Sequence, residues 1–302
     1  VVDQDDNYVN IAMVRTPFKS DKASWDLFHE YKDKVLFLGI SSFENFPLPG
    51  PNPWSEKYAE DTYTPLFPGF LHNMRDPEKH FPSHVKHVLM AQSDWIEAFP
   101  KIEEPKLYDF SYSGSNQEVK TNCDGWSSYN KNWTFVQEAL DVMCDLNMTG
   151  VLFASKLGNM TCTIPKKCEG LIKQTQFLGQ SQMFKYIRQS RFVFLPQISD
   201  ASPRVAAQAL ALDTPILMNK HIFGGWKYVN NQTGEFFTDM SDLQQQFTKI
   251  LQNQDQYHPR DWWGANYGAD RLAKRFTKYV KDNFAELAQL PPNTTKLTPI
   301  FT

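Results

Sequence analysis

Short apolar runs alternate along this chain with stretches whose apolar residues recur at helical spacing. Phe192-Val193-Phe194-Leu195-Pro196 is apolar and closed by proline, which predicts a buried strand. A polar turn, Gln197 to Ser202, follows. Pro203 suits the first turn of a helix, where its missing N–H costs nothing, and Ser202 is placed to accept from the exposed amides beyond it, so a helix is expected to start near Ser202. Val205, Ala209 and Leu212 share one face of that helix, Pro215 to Met218 is the next strand, and Gly224-Gly225 marks a tight turn.

The same rhythm runs through the rest of the chain. Tyr8 to Val14 and Val35 to Ile40 read as strands flanking a helix at Ser24 to Tyr31, and Val85 to Met90 as another strand. Between them, Phe43 to Phe70 holds prolines at 47, 49, 51, 53, 65 and 68, too many for regular structure, and is expected to form an ordered loop over a cleft. After Ile102 to Lys106 come a strand at Leu107 to Ser113, a helix presenting Phe135, Val136, Ala139, Leu140 and Met143, and a strand at Val151 to Ala154. An insertion at Asn159 to Gly170 follows, then a strand at Thr175 to Leu178 closed by Gly179, and a helix around Met183 to Ile187. Arg271 to Leu287 is the last helix, and the tail from Pro291 is expected to be loose. Alternating strands and helices predict an α/β chain with parallel sheets. We expect an N-terminal domain at 1–105, a C-terminal domain at 106–270, and a returning helix and tail at 271–302.

The 302 residues, 41% of them hydrophobic, suffice for two cores. A net charge of −3 provides no basic footprint, so nucleic acid is not an expected partner. No run approaches the roughly 20 apolar residues of a membrane span. Because the sequence begins at Val1, removal of a leader or anchor stays open. Sequons at Asn132, Asn147, Asn159, Asn231 and Asn293, with four cysteines at 123, 144, 162 and 168, suit a secretory lumen (Golgi or ER) with two disulfides. A cytosolic or viral setting with free thiols is the alternative. Asn132 directly follows Lys131, which makes its glycosylation awkward.

In an open parallel sheet, ligands bind beyond the carboxyl ends of the strands, where helix N-termini offer amides to anions. Asp200 to Arg204 sit at such a point. From Asp200, seven residues lead to Gln208, then Ala209-Leu210-Ala211-Leu212-Asp213-Thr214-Pro215-Ile216-Leu217, Gly224-Gly225 and Thr233-Gly234-Glu235-Phe236-Phe237. In order and spacing this resembles the group-1 (family 4-like) glycosyltransferases of the GT-B fold, closest in wording to a divergent branch of algae and large algal DNA viruses. The resemblance implies two Rossmann-like domains with parallel sheets, the N-terminal one unusually small. It also implies transfer of a sugar from a nucleotide diphosphate donor to a glycan or glycoprotein acceptor, as a hexosyl- or pentosyltransferase. That transfer is expected to need no metal and no cofactor beyond the nucleotide-sugar co-substrate, and to retain configuration.

By the same resemblance Asp200 contacts sugar hydroxyls, with the turn Ala201, Ser202, Pro203 and Arg204 presenting its backbone amides, Pro203's missing one apart, to the diphosphate. Gly114 is the glycine turn after the first donor-domain strand, Lys131 contacts donor phosphate, and Gly179 lies beside the nucleotide base. Gln208 stands where the family has a glutamate that accepts from the ribose; an amide still accepts but carries no charge. The family's arginine near the glycine turn is replaced by Ser115-Asn116-Gln117, and Arg204 is placed to compensate. Blander roles stay open: Asp200 as a helix cap, Lys131 as a solvated lysine, Arg204 as a surface ion-pair residue. His72 and Arg75 are candidates to touch acceptor or sugar, though a single histidine in a loop is more often structural. Glu44 and Asp94 are candidate bases if the reaction inverts. His80, His84 and His87 precede or enter a strand, where 84 and 87 face opposite ways, so no metal site is expected. Two rivals remain: a silent sugar-nucleotide or glycan-binding relative, and a GT-B-type sugar-nucleotide epimerase.

Overall fold

The computed structural model describes residues 1–42, 44–49, 63–114 and 118–301. The centre of the proline-rich stretch expected to cover a cleft, and Ser115 to Gln117, lie outside the described residues. The chain divides into two compact units, Val1–Ile96 with Asn266–Thr302, and Glu97–Ala265.

In the first unit, β1 (Ile11–Val14), β2 (Leu36–Ile40), β3 (Gly69–His72) and β4 (Lys86–Leu89) form a parallel sheet in that order among the described residues, with α1 (Lys22–Tyr31) joining β1 to β2. Leu36, Leu38 and Ile40 are wholly buried. The Asp21 side chain caps α1 by accepting from the Ser24 amide at 3.1 Å. β3 begins inside the segment expected to be irregular, at Gly69 and Phe70, and runs past it. Prolines crowd up to residue 68 but stop there, and Gly-Phe-Leu-His then pairs on both sides, with Leu38 and with Lys86 opposite Gly69.

In the second unit, β5 (Tyr108–Ser113) leads through α2 (Trp126–Asn130) and α3 (Trp133–Asp145) to β6 (Gly150–Phe153). A small antiparallel hairpin, β7 (Lys156–Leu157) and β8 (Met160–Thr161), precedes β9 (Ile172–Gln174) and α4 (Gln180–Arg188). Then come β10 (Ser190–Leu195), α5 (Arg204–Ala211), β11 (Ile216–Asn219), β12 (Gly234–Phe237), α6 (Met240–Gln252) and α7 (Pro259–Asn266). The large sheet has the order β12-β11-β10-β5-β6-β9, every pair parallel.

One face of that sheet is aromatic. Phe110, Phe192, Phe194, Phe237 and Phe247 are fully buried together, and each contributes about 1.5–3 kcal/mol by leaving water. α3 lays Val136, Ala139, Leu140 and Met143 onto this core. Two disulfides cross-link the same region: Cys123 with Cys162, and Cys144 with Cys168 at a Cα separation of 5.3 Å. No cysteine is free, and paired cysteines fit an oxidising compartment. At the sheet margins, Gln174 Nε2 on β9 donates to the Cys162 carbonyl at 2.9 Å, and Glu235 on β12 accepts from Lys249 at 2.7 Å and from the Tyr257 hydroxyl at 2.9 Å.

One expected strand shifts. Ile172–Gln174, not Thr175 to Leu178, pairs with β6; Phe177 is 73% exposed, so its hydrophobicity does not mark a core strand. Gly234, in the Thr-Gly pair that stands where the resembled family has a turn, opens β12.

The last helix, α8 (Ala269–Phe284), belongs to the first unit, where the Tyr279 hydroxyl accepts from the Phe70 amide at 3.1 Å and donates to the Lys86 carbonyl at 2.8 Å. The tail after it is tied down rather than loose. Leu297 and Thr294 are fully buried, and Val2 and Thr298 exchange backbone hydrogen bonds at 2.9 Å. Burial of one leucine, about 1.5–3 kcal/mol, offsets the ordering of only one or two residues, so the backbone pairing with Val2 is needed as well, and polar composition alone reveals neither.

Gly234 has φ +149°, and a Cβ there would lie 1.9 Å from the Ile216 carbonyl oxygen. Gly234→Ala is therefore expected to lower stability by about 1–3 kcal/mol, read as a reduced urea midpoint with an unchanged slope.

Candidate functional site

β5 and β10 pair side by side, Tyr112 opposite Phe194, yet the chain leaves β5 toward β6 and leaves β10 toward β11, on opposite sides. A crevice opens beyond the carboxyl ends of two such strands. The turn after β10 is held there by side-chain amides: Asn132 Nδ2 and Asn219 Nδ2 both donate to the Pro196 carbonyl, at 2.9 and 3.3 Å. Behind it packs the paired-glycine turn. The Phe223 amide donates to Ile198 O at 2.8 Å and the Gly224 amide to Asp200 O at 2.9 Å. A Cβ on Gly224 would sit 2.2 Å from the Ala201 carbonyl oxygen, and one on Gly225, at φ +76°, would sit 2.4 Å from Pro203 Cγ. Only glycine allows this approach.

Asp200 is nearly buried. Its Oδ1 accepts from the Ser202 amide at 3.1 Å, and its Oδ2 meets Lys131 Nζ at 3.0 Å, with side-chain exposures of 12% and 15%. Ser202 is not the cap expected of it: the N-cap position falls on Pro203, which has extended backbone, no side-chain acceptor and no side-chain cap hydrogen bond, and α5 starts at Arg204, one residue later than a serine cap would place it. Ala201, Ser202 and Pro203 are buried, whereas Arg204 is exposed.

Lys131 reaches Asp200 because its own segment is fixed. The Tyr112 hydroxyl donates to the Lys131 carbonyl at 3.1 Å. Upstream, the Glu118 carboxylate accepts from the Ser127 amide at 2.8 Å, the Ser128 amide at 3.1 Å and the Ser128 hydroxyl at 2.8 Å, which anchors the start of α2. Burial alone would raise the Glu118 carboxyl, but these donors outweigh it and hold it below its ordinary value of 4.5. The Cys123–Cys162 bridge and the Asn122 side chain, which accepts from Thr163 N at 2.7 Å, tie the same segment to the β7–β8 hairpin.

Beside this pair lies a cleft of about 460 Å³ within the second unit, lined by Ser113, Phe153, Ala154, Phe177, Leu178, Gly179, Gln180, Met183, Arg204, Val205 and Gln208. Its walls differ chemically. Arg204 and the first amides of α5 offer positive charge and donors to an anion, while Phe177, Leu178 and Met183 form an apolar shelf for a flat group. Gln208 lies one helical turn beyond Arg204, its amide available as donor and acceptor. Gly114 follows β5 and is buried. Gly179 is the N-cap of α4, with extended backbone.

Three comparisons bear on this arrangement. No family model matches the chain, and no curated protein matches it in sequence. Solved structures do match. The chain is similar to TarM (10% identity, TM-score 0.62, 89% of this chain and 54% of TarM) and to the pneumococcal O-GlcNAc transferase GtfA in complex with UDP and GlcNAc (11%, 0.59, 87% and 55%). It is also similar to sucrose-phosphate synthase from Thermosynechococcus elongatus (10%, 0.64, 91% and 74%). The fold is GT-B. The chain spans about half the length of TarM and of GtfA. In GT-B terms, the six-stranded sheet is the C-terminal one and the four-stranded sheet is the smaller N-terminal one.

The GT-B framework thus brings Lys131, Asp200 and Ser202 into contact and lines one cleft with Gly179, Arg204 and Gln208. His72 is elsewhere, in the first unit. It ends β3, is 2% exposed, and its Nδ1 accepts from the Met74 amide at 3.1 Å. Asp94 is buried in the same unit, where its Oδ2 accepts from the Ala91 amide at 3.0 Å; Glu44 is half-buried with φ 41°. Among the described residues no group of His, Cys, Asp or Glu is arranged to hold a metal ion, the 80, 84 and 87 histidines included. Sequence reasoning missed Phe177, whose signal was an aromatic residue just before the Gly179 helix start. It also missed Glu118 and Asn219, for which no signal exists in one sequence.

Replacing either Lys131 or Asp200 by Ala leaves a largely desolvated charge and is expected to cost about 1–3 kcal/mol. In a double-mutant cycle the double variant should lose less than the sum; strictly additive losses would mean the two groups do not interact. Glu118 sets a pH dependence. A carboxyl held below its ordinary value contributes stability fully present above 4.5 and lost as pH falls through the lowered value. Hydrogen exchange at the Ser127 and Ser128 amides, corrected for intrinsic rates, should show protection lost over that acid range and already absent in Glu118→Ala at neutral pH.

Proposed function

We propose that this chain is a glycosyltransferase that moves a sugar from a nucleotide diphosphate donor to a glycan or glycoprotein acceptor, without a metal ion. The observation that carries the reading is the cleft beside the Lys131–Asp200 pair, cationic and amide-rich on one wall and apolar on the other. Its position beyond β5 and β10 supports it, as do the GT-B neighbours, among them a galactosyltransferase (WaaB, 10% identity, TM-score 0.61, 90% of this chain and 75% of that one).

In this reading the nucleobase lies on the Phe177, Leu178 and Met183 shelf near Gly179. Gln208 accepts from the ribose. Arg204, the amides that open α5 and the backbone near Gly114 face the diphosphate, and Lys131 moves from Asp200 to it, which frees Asp200 for the sugar hydroxyls. Charge developing on the leaving diphosphate is then met by fixed donors, which lowers the barrier without a cofactor. Ala201, Ser202 and Pro203 shape the turn that holds Asp200. His72 is the proposed acceptor-side residue. We further propose retention of configuration, transfer of a hexosyl or pentosyl group, a lineage near the family 4-like enzymes of algae and their large viruses, and work in an oxidising secretory lumen.

Thermal stabilisation against UDP-, GDP-, TDP- and CMP-sugars tests the reading. One nucleotide class should raise the Tm, and Arg204→Ala and Lys131→Ala should abolish the shift while Phe177→Ala weakens it. That donor should also hydrolyse slowly without acceptor. Stabilisation with the donor left intact would identify a silent binding relative, free interconversion of donors would identify an epimerase, and no stabilisation by any class would overturn the proposal.

A further inference from the structure

Five asparagines head Asn-x-Thr triplets, and the fold separates them into two kinds. Asn147 lies in the turn between α3 and β6, Asn159 at the tip of the β7–β8 hairpin, Asn231 in the turn before β12, and Asn293 after α8; all four are exposed. Asn132 is half-buried, adopts φ 57°, and commits its Nδ2 to the Pro196 carbonyl at 2.9 Å, directly beside the Lys131–Asp200 pair. In the six-stranded sheet, Asn147 and Asn231 precede strands and so lie at its amino ends, while Asn132 belongs to the carboxyl ends where the crevice opens. The paired cysteines fit an oxidising environment, and the secretory lumen in which asparagine glycosylation occurs is one such environment.

We propose that the mature chain carries N-linked glycans on Asn147, Asn159, Asn231 and Asn293 and none on Asn132. In each modification the carboxamide nitrogen attacks the anomeric carbon of an oligosaccharide carried on a lipid diphosphate. A C–N bond forms, the C–O bond to the diphosphate breaks, the amide gives up one proton, and the lipid diphosphate departs; nothing is oxidised or reduced. The Thr233 hydroxyl is buried and donates to the Tyr228 carbonyl at 2.6 Å, and the Thr149 hydroxyl donates to Asp109 Oδ2 at 3.2 Å. Sites that need those hydroxyls are therefore modified before the chain folds around them. A sugar attached to Asn132 at that stage would break the bond that holds the turn after β10, so chains modified there do not reach the native fold.

The test is to secrete the chain from a eukaryotic host behind a cleavable leader, purify the folded protein, and release N-glycans enzymatically in heavy-oxygen water, which leaves each formerly occupied asparagine as a mass-tagged aspartate. Peptide mapping should find the tag at Asn147, Asn159, Asn231 and Asn293 and an untagged Asn132. Two exposed threonines give a check that does not disturb the core: Thr161→Ala should speed gel migration by one glycan step, and Thr134→Ala should leave it unchanged. A tagged Asn132, faster migration of Thr134→Ala, or untagged asparagines at the other four positions would overturn the proposal.

Discussion

The parallel pairing of β5 with β10 is the constraint on which the second unit depends. Their register sets Phe110 against Phe192 and Tyr112 against Phe194, and the aromatic slab built on those residues fixes how far each strand projects. Because the side-chain period of a strand is two, a slip of one residue would turn these rings to the other face and pull the core apart. The register therefore also sets the level at which Ser113-Gly114 and Pro196 leave the sheet. Everything polar that gathers at that end, from Tyr112 to Lys131 and from Pro196 to Asp200, takes its position from hydrophobic packing one layer below.

The polar layer is self-supporting once placed. Asn132 and Asn219 converge on one carbonyl, Asp200 divides its two oxygens between an amide and an ammonium, and Glu118 satisfies three donors at the start of α2. Each group is paired, which offsets the cost of its desolvation, and the side chains gain fixed orientations that a solvated cluster would lack. A proposed donor would exchange one partner for another at Lys131 and leave the rest of the network in place.

Much of this was legible in the sequence where local pattern and tertiary role agree. Phe192 to Pro196 and Pro215 to Met218 are short apolar runs because they are buried on both faces, and the structure makes them strands. The pattern misled where exposure was purposeful: Phe177-Leu178 looked like part of a strand because they are apolar, but they line the cleft and the strand lies upstream. β3 was hidden by its proline neighbours, and β12 by a Thr-Gly pair whose glycine serves a close backbone contact instead of a turn. Lys131 and Asp200 were named by resemblance, yet their contact spans 69 residues, and no periodicity reports a distance across that separation.

Gln174 and Glu235 have a consequence for how this protein meets other chains. They stand on the two outermost strands of the six-stranded sheet, each three or four residues long. One turns its amide back to the hairpin, and the other draws a lysine and a tyrosine onto its carboxylate. Short rims occupied by polar side chains are poor templates for an added strand. The sheet is thereby guarded against edge-to-edge aggregation, which matters most before the disulfides close and fix the hairpin beside it.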